Sequence, residues 1–489
     1  MIPMSKNNHK LKRSLKARHM NMIAIGGAIG TGLFFASGSA ISTAGPGGAL
    51  LAFAGMGMLV YFLMTSLGEM ATLLPVTGSF ETYATRFVDP ALGFALGWNY
   101  WFCWAICVSA ELVAGSIIMK FWLPDANATL WSALFLVIIF ILNSLSALAY
   151  GESEYWFASI KVITIIIFLI IGLLMIIGIL GSENIGFENW TLSDGHGRTA
   201  PFAGGIFAII NVFLVAGFSF SGTELVGLAA GESENPQENI PKAIKNVFWR
   251  ILLFYIGSII VIGFIIPFTD PNLLKGGAEN IAYSPFTMVF QKLGLAAAAS
   301  IMNAVILTSV LSCGNSGMYA STRMLYSLAH EGKAPKFLAK INKRGIPFNA
   351  LIINTIVASV AFLGSLIGTG HIYYILYNAS GITAFFAWLG IAICHLRFRK
   401  AYVAQGNKLS DLKYRAKFFP LGPIMAVVSC LIVIFFSNIW IFQADTFSWF
   451  DFITNYLPIP MFLCLYFGYK FVKKTKIVPL EECDFKLIE

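Results

Sequence analysis

The feature that most restricts the fold of this chain is a succession of apolar stretches, each long enough to cross a bilayer. A membrane-spanning helix needs about 20 mostly apolar residues, and twelve such windows follow one another in 489 residues. With 57% hydrophobic and 12% charged residues, the chain cannot be a soluble globular protein. We therefore predict an all-α membrane protein with twelve transmembrane helices. Their predicted limits are 20–43, 48–74, 92–119, 130–150, 156–180, 203–230, 247–267, 284–328, 349–368, 372–396, 419–440 and 452–472.

The domain organisation follows from these windows. No low-complexity linker interrupts them, which predicts one membrane domain over residues 20–472 between a basic tail, 1–19, and a second tail, 473–489. The eighth window is longer than a bilayer requires. We expect part of that helix to project into the cytoplasm.

The basic residues predict the orientation of the chain. With the N-terminus inside, 27 Lys and Arg residues fall on the cytoplasmic side and 4 on the outer side, which is the asymmetry of cytoplasmic loops. This distribution accounts for the net charge of +9 without nucleic acid as a partner. Both termini are therefore predicted to be cytoplasmic, in a plasma membrane.

Two glycine-containing interruptions indicate a function. One is the run GGAIGTG at 26–32, inside the first window, and the other is GFSFSGTE at 217–224, inside the sixth. Glycine costs a helix roughly 1 kcal/mol relative to alanine, and unwound backbone in a membrane is tolerated only against protein or a water-filled cavity. Two broken helices in corresponding positions are typical of a transporter binding site at the bilayer midplane. The alternative is that the glycines only permit close helix packing.

Six longer motifs carry a family resemblance: RHMNMIAIGGAIGTGLF at 18–34, AGPGG at 44–48, GWNYW at 97–101, FSFSGTE at 218–224, YASTRML at 319–325 and GKAP at 332–335. The sequence resembles the amino-acid permeases of the amino acid–polyamine–organocation superfamily, including their bacterial lysine-specific members. The resemblance implies a five-plus-five inverted repeat, here 20–180 and 203–396, with the first helix of each repeat (helices 1 and 6) unwound and two extra C-terminal helices at 419–472. It also implies proton-coupled import of L-lysine by alternating access.

An amino acid brings a carboxylate and an ammonium group into the membrane, and the first break suits the carboxylate. Free N–H groups and the positive dipole end meet where a half-helix starts. We assign the substrate carboxylate to the backbone of Gly30, Thr31 and Gly32, with the Thr31 hydroxyl as a further donor. The resemblance implies that the ammonium is bound by carbonyl groups and that Phe218 also caps the substrate as an aromatic gate. The carbonyls concerned are those of Ala28, Phe218 and Ser221.

A cationic side chain in the membrane needs a counter-charge. Few acids fall within the windows: Glu69, Glu111 and Glu224. Glu224 lies at the second break and Glu111 well inside the third window, so both are candidate partners, with gating or helix pairing as the alternative. Glu232 lies nearer the cytoplasmic end and is expected in an inner gate.

Two aromatic residues and one lysine complete the predicted site. Tyr100 and Trp104 share a helix face and line either the cavity or the core. The resemblance implies that Lys161 occupies the place of a coupling sodium ion, holding span one against span eight and alternating between charged and neutral forms. The alternative is a lysine that extends to the interface. Its candidate partners in span eight are Ser309, Ser312 and Asn315.

Other functions fit less well. A cationic or neutral amino-acid exchanger or permease of the same family is the transport alternative, and a lysine sensor that signals to a regulatory protein partner is another. A membrane enzyme is disfavoured because no two of the six histidines stand at metal-ligand spacing. The seven cysteines form no metal-binding pattern. We therefore expect no metal or organic cofactor, and only L-lysine, protons and lipid as partners.

Overall fold

The computed structural model describes residues 13–26, 29–181, 186–274, 284–294, 296–436, 440–443 and 446–486. Over these residues the regular elements are helices, with two isolated backbone bridges as the β-type contacts. Helices α1 to α7 lie within residues 17–176. They are Ala17–Gly26, Thr31–Phe34, Ala36–Leu73, Phe80–Phe87, Pro90–Met119, Ala128–Leu145 and Ala147–Ile176.

The described residues after 200 are also largely helical. A three-residue 3-10 turn, Ala230–Glu232, extends α9, and a π-helical segment, Arg250–Ile256, joins α10 to α11. Helices α8 to α14 are Gly205–Phe220, Leu225–Ala229, Pro236–Trp249, Gly257–Ile265, Pro271–Leu274, Pro285–Lys292 and Ala296–His330. Helices α15 to α21 are Phe348–Ala358, Gly364–Ile367, Thr369–Ala404, Leu421–Phe436, Trp440–Gln443, Trp449–Tyr456 and Pro458–Lys473.

The apolar windows agree with most of these helices. In the described part of the chain, nine helical stretches are long and apolar enough to cross a membrane, or ten if the bent pair α20–α21 is one span. The first predicted window is instead divided among α1, α2 and the start of α3. The eleventh corresponds to α18, which has 16 described residues.

Two boundaries differ from the sequence-based expectation, whereas the gap between the first two predicted windows, 44–47, coincides with a bend in α3. The predicted long helix over 284–328 is two helices, α13 and α14, because Leu293 and Gly294 form a turn, with Gly294 at φ +70°. Helix α3 is bent at Gly45, whose φ of +75° is followed by Pro46. Glycine adopts such a φ without steric cost. Helix α7 begins at Ala147, nine residues before the predicted start of the fifth span, and therefore includes two acidic residues that the prediction left outside the membrane.

The centre of the bundle is formed by α5, which packs against α14 and α17. In the most apolar window of α5, 89% of the residues are buried, whereas only 28% are buried in the corresponding windows of α6 and of α7. Large apolar side chains of α6 and α7, such as Leu130 and Ile163, are exposed on the outside of the bundle. This burial pattern places α5 at the core and α6 and α7 at the lipid-facing periphery.

Candidate functional site

The two predicted interruptions are real breaks, and they lie against each other. Helix α1 ends at Gly26 and α2 starts at Thr31, after Gly30 in a non-helical conformation. The other break separates α8 from α9, around Gly222 at φ +90°. The Ser219 hydroxyl donates to the Gly32 carbonyl at 2.7 Å, and a Cβ on Gly32 would lie 2.5 Å from Ser219 Cα. The small residues therefore permit backbone contact between the breaks.

A cavity lies beside this contact. Its volume is about 10 Å³, close to the space that one water molecule needs, so this conformation is contracted and must open to admit a larger solute. Six predicted site residues line it. The lining residues are Gly30, Gly32, Cys103, Trp104, Cys107, Glu111, Phe218, Ser221, Cys313 and Ser380.

The other predicted site residues lie elsewhere. Thr31 and Glu224 are buried behind the lining, and so is Tyr100, whose ring stands edge-on to Trp104 at 6.1 Å between centroids. Ala28 lies outside the described residues. The ring of Phe218 contacts that of Tyr377, with 4.2 Å between centroids, so one face of the cavity is aromatic.

Glu111 presents a carboxylate to the cavity. Its Oε1 accepts a hydrogen bond from the Thr31 hydroxyl at 3.0 Å, and the side chain is 2% exposed. Among the described residues, Oε2 has no hydrogen-bond partner. Because a buried polar atom without a partner is costly, this oxygen is available to a donor that enters the cavity. The Thr31 hydroxyl, expected to bind the substrate carboxylate, is used by Glu111 instead.

Glu224 has a different environment. Its carboxylate accepts from the Tyr100 hydroxyl and the Trp388 indole N–H, each at 3.0 Å, and from the Gly222 N–H at 3.2 Å. These three groups connect α5, α17 and the second break. Glu224 therefore holds the break in place with neutral donors.

Lys161 bridges the first break and α14. Its Nζ donates to the Gly26 carbonyl and to Ser312 Oγ, both at 2.9 Å. Ser312 in turn donates to Glu154 Oε1 at 2.6 Å. Lys161 and Glu154 are fully buried, so the lysine does not extend to the interface. Of the three candidate partners in span eight, Ser312 makes the contact.

Sequence reasoning missed two buried charges at this site. Glu154 lies in the first turns of α7, which the predicted window omitted. Arg250 was counted as a cytoplasmic residue, yet it is 1% exposed and donates to the Ala24 carbonyl of α1 at 3.0 Å. It also donates to the Tyr255 hydroxyl, which donates to the Ser219 carbonyl. This chain of bonds joins the two broken helices, and only the apolar residues directly after Arg250 could have indicated it.

The bundle is closed at the end where the N-terminal segment lies. Glu232 is buried and accepts from the guanidinium of Arg323 and from the Tyr319 hydroxyl at 2.9 Å. The backbone N–H groups of Ser14 and Leu15 donate to the Glu232 carbonyl at 3.0 Å. The N-terminal segment thus covers an ion pair between the α9 extension and α14.

Three further ion pairs occupy the same end. Glu69, one of the acids noted within the windows, binds Arg399 through both carboxylate oxygens, at 2.7 and 2.6 Å. Lys333 donates to both Glu81 and Glu331. Burial raises the pKa of Glu81 to about 7, with the nearby Glu331 adding to the rise against the attraction of Lys333. Glu69 is therefore used in helix pairing.

Three potential metal ligands converge at the cavity wall. Cys107 and Glu111 lie one turn apart on α5, and Cys313 faces them from α14. Their ligand atoms all lie within 4.8 Å of one another, and all three residues are buried. The spacing along the chain does not reveal this group because its members come from two helices.

The sequence is similar to those of known transporters over nearly its whole length. The chain is 56% identical over 476 residues to the lysine-specific permease LysP of Escherichia coli (strain K12), covering 97% of this chain and 96% of the relative. It is 53% identical to the lysine-specific permease LysP of Lactococcus lactis subsp. cremoris (strain MG1363), covering 97% and 93%. The histidine permease HisP of the same Lactococcus strain is also 53% identical, covering 98% of both chains.

The family assignment rests on the whole length of the chain. The family model described as amino acid permease matches residues 19–481, which include both breaks, the cavity and the ion pairs at the closed end. Multiple apolar helices and transporter relatives indicate a multi-pass membrane transporter of amino acids. The chain belongs to the amino acid permease family.

Proposed function

We propose that this protein imports L-lysine together with a proton across the bacterial cytoplasmic membrane by alternating access. The proposal includes twelve transmembrane helices in two inverted repeats of five with two extra C-terminal helices, and both termini in the cytoplasm. The observation that carries it is the cavity at the meeting point of two broken helices, with one carboxylate in its wall. The two lysine-specific relatives support the choice of substrate.

The cavity offers a complementary group to each charge of lysine. The backbone N–H groups of Gly30 and Gly32, at the start of α2, would bind the substrate carboxylate, and the carbonyls of Phe218 and Ser221 would bind the α-ammonium. The side-chain ammonium then needs an acid. Glu111 lines the cavity with one oxygen unpartnered among the described residues, whereas Glu224 is occupied by Tyr100 and Trp388. We assign the side-chain contact to Glu111.

Alternating access is supported by the state of one end of the bundle and of the cavity. The buried Glu232–Arg323 pair and the N-terminal segment close one end, and the cavity itself is contracted to about 10 Å³. A lysine molecule cannot fit without separation of the lining residues. Opening towards the cytoplasm requires that the ion pair and the N-terminal segment come apart.

Lys161 is the proposed coupling group. In its charged form it fastens Gly26 of α1 to Ser312 of α14. A neutral amine has fewer protons to donate and no charge, so loss of the proton would weaken this connection between span one and span eight. Glu154 lies one hydrogen bond further on and would receive or supply the proton through Ser312.

Energetics show what coupling would add. One charge crossing 100 mV gains about 2.3 kcal/mol, which gives roughly a fifty-fold accumulation of cationic lysine. A co-transported proton squares that factor before a pH gradient contributes. Lysine would accumulate without coupling, so coupling must be measured directly.

The first experiment uses purified protein in liposomes with a pH-sensitive dye inside. We expect saturable lysine uptake that acidifies the interior and increases when the outside is made acidic. Counterflow with unlabelled lysine, arginine, histidine and neutral amino acids then defines the substrate. Lysine uptake that is indifferent to an imposed pH gradient would contradict coupling, and failure of lysine to compete would contradict the substrate.

The second experiment replaces the coupling group. Lys161→Met should abolish proton-driven accumulation while leaving exchange of internal for external lysine measurable. Lys120→Met, at the exposed end of α5, is the matched control and should accumulate lysine normally. Proton-driven accumulation that survives in Lys161→Met would remove Lys161 from the proposal.

A histidine permease is the second candidate, because one relative with that name is as similar as the second lysine permease. Histidine would enter the same cavity. Its imidazole is largely neutral at pH 7, so it needs Glu111 less than lysine does. A preference for histidine that persists in Glu111→Gln would favour this candidate.

A further inference from the structure

The cluster of Cys107, Cys313 and Glu111 is built from two helices that carry other functions. Cys107 and Glu111 stand one turn apart on α5, and Cys313 belongs to α14, the helix that also binds Lys161 through Ser312. The three ligand atoms lie within 4.8 Å of one another and border the cavity. A third cysteine at the cavity, Cys103, directs its thiol to the Ser380 carbonyl at 3.5 Å and lies outside the cluster.

A second observation points to a ligand. Glu111 Oε2 is buried and has no hydrogen-bond partner among the described residues. Ordinary protein interiors satisfy such atoms. The carboxylate that carries this atom lies beside two thiols, and this donor set matches a soft divalent cation, since thiolates select Zn²⁺ and related ions over Mg²⁺ or Ca²⁺.

We propose that Cys107, Cys313 and Glu111 form a binding site for a soft divalent cation, Zn²⁺ or Cd²⁺, in the wall of the substrate cavity. Three protein ligands leave the fourth tetrahedral position for water. At bond lengths of about 2.3 Å to sulfur and 2.0 Å to oxygen, the donors would need to approach one another by about 1 Å or less. One M²⁺ ion replaces the two thiol protons, which are released to solvent, and leaves a site with two thiolates and one carboxylate.

The bound cation has two consequences for transport. It occupies the Glu111 carboxylate, which is the proposed partner of the substrate side chain. It also ties α5 to α14 on either side of the cavity. The cation should therefore inhibit uptake, and the substrate should oppose its binding. This consequence rests on the proposed function, whereas the metal site itself does not.

The test begins with metal binding to purified full-length protein. The background is Cys464→Ser, which removes the exposed cysteine. Titration with Cd²⁺ should give saturable ultraviolet absorption from cadmium–thiolate bonds at one equivalent, with release of two protons. Cys107→Ser and Cys313→Ser should each reduce Cd²⁺ affinity at least a hundred-fold, and Glu111→Gln about ten-fold. The matched control, Cys103→Ser, should bind normally.

A second measurement uses no substitution in the proposed metal site, so its result does not depend on whether such variants fold. Cd²⁺ should shield Cys107 and Cys313, and not Cys103, from alkylation by N-ethylmaleimide, as measured by mass spectrometry. Absence of cadmium–thiolate absorption would overturn the metal site. Equal protection of Cys103 from alkylation would also overturn the metal site.

The uptake arm separates the metal site from the transport hypothesis. In liposomes, Cd²⁺ should inhibit lysine uptake, with less inhibition as lysine rises. Normal uptake at saturating Cd²⁺ would overturn the inferred competition while the binding result stands. Absence of any lysine uptake would contradict the proposed function and would not alter the titration.

Discussion

The acids in the middle of the bundle and those at its closed end are neutralised in different ways. At the closed end, Glu69, Glu81 and Glu232 are all paired with Arg or Lys side chains. In the middle, Glu111 and Glu224 accept hydrogen bonds from hydroxyl, indole and backbone groups. Among the described residues, neither of these two forms a salt bridge, although both are as buried as the paired acids.

This difference distinguishes ion pairs that hold helices together from a binding site. A buried carboxylate with a fixed cation needs nothing further, and removal of its partner is strongly destabilising. A buried carboxylate with only neutral donors retains an attraction for a cation. The ion pairs at the closed end therefore hold helices together, and we call them the latch. In the middle of the bundle, a bound cation such as the substrate would supply the positive charge that the acids there lack.

Removal of the latch should give the largest effect. Arg323→Ala leaves Glu232 buried without its cation, and we expect a stability loss of about 3–5 kcal/mol, measured as a fall in the thermal unfolding midpoint. The exposed Arg344 provides the control, since Arg344→Ala removes the same charge at the surface.

The double variant sharpens this result. Adding Glu232→Gln to Arg323→Ala removes the uncompensated charge and should recover part of the loss. If Arg323→Ala unfolds at the same temperature as Arg344→Ala, the Glu232–Arg323 ion pair does not hold the helices together. The contrast between the closed end and the middle of the bundle then fails.

The next effect separates the two middle acids. Glu111→Gln should raise the KM for lysine about 10- to 100-fold, because a hydrogen bond to a charged group is worth about 1.5–3 kcal/mol. The matched change, Glu224→Gln, removes the same charge from a side chain that does not border the cavity, and should alter the KM less than about three-fold while lowering stability, since Gly222, Tyr100 and Trp388 lose a charged acceptor. Initial uptake rates over a range of lysine concentrations measure both. A larger KM change in Glu224→Gln would reverse the assignment.

The smallest effect concerns pH at the closed end. Because burial raises the pKa of Glu81 to about 7, the folded protein binds a proton more tightly than the unfolded chain between about pH 4.5 and 7. Stability should therefore fall as pH rises through this range, and Glu81→Gln should remove that slope. Unfolding temperatures at pH 5.5 and 7.5 measure it.

Glu331→Gln is the control for this slope. Lys333 lowers the pKa of Glu331 against the effect of burial. The titration of Glu331 therefore changes stability at pH values below the two that are tested. Most of the slope should remain in that variant, since burial is the main cause of the shift at Glu81. A wild-type stability that does not change between the two pH values would contradict the titration of Glu81.

The sequence alone determined the class of protein and the position of the two breaks. Apolar windows and glycine runs are local patterns, and the membrane imposes a helix on every long apolar segment, so they can be recognised without knowledge of neighbouring helices. The predicted contact of Lys161 with span eight came from the family resemblance. The structure places that contact at Ser312.

The tertiary structure alone decided which charged groups meet. Glu154 was placed outside the membrane because the fifth predicted window starts at residue 156, and Arg250 was counted as cytoplasmic although the seventh window, 247–267, contains it, whereas packing buries both. Contacts between helices far apart in the chain, such as Thr31 with Glu111, determine the cysteine–glutamate cluster and the hydrogen bonds that the Glu224 carboxylate accepts. They also leave Glu111 Oε2 without a partner among the described residues. Such contacts are determined by how helices pack. The hydrophobic pattern along one helix carries no information about which side chains of another helix will face it.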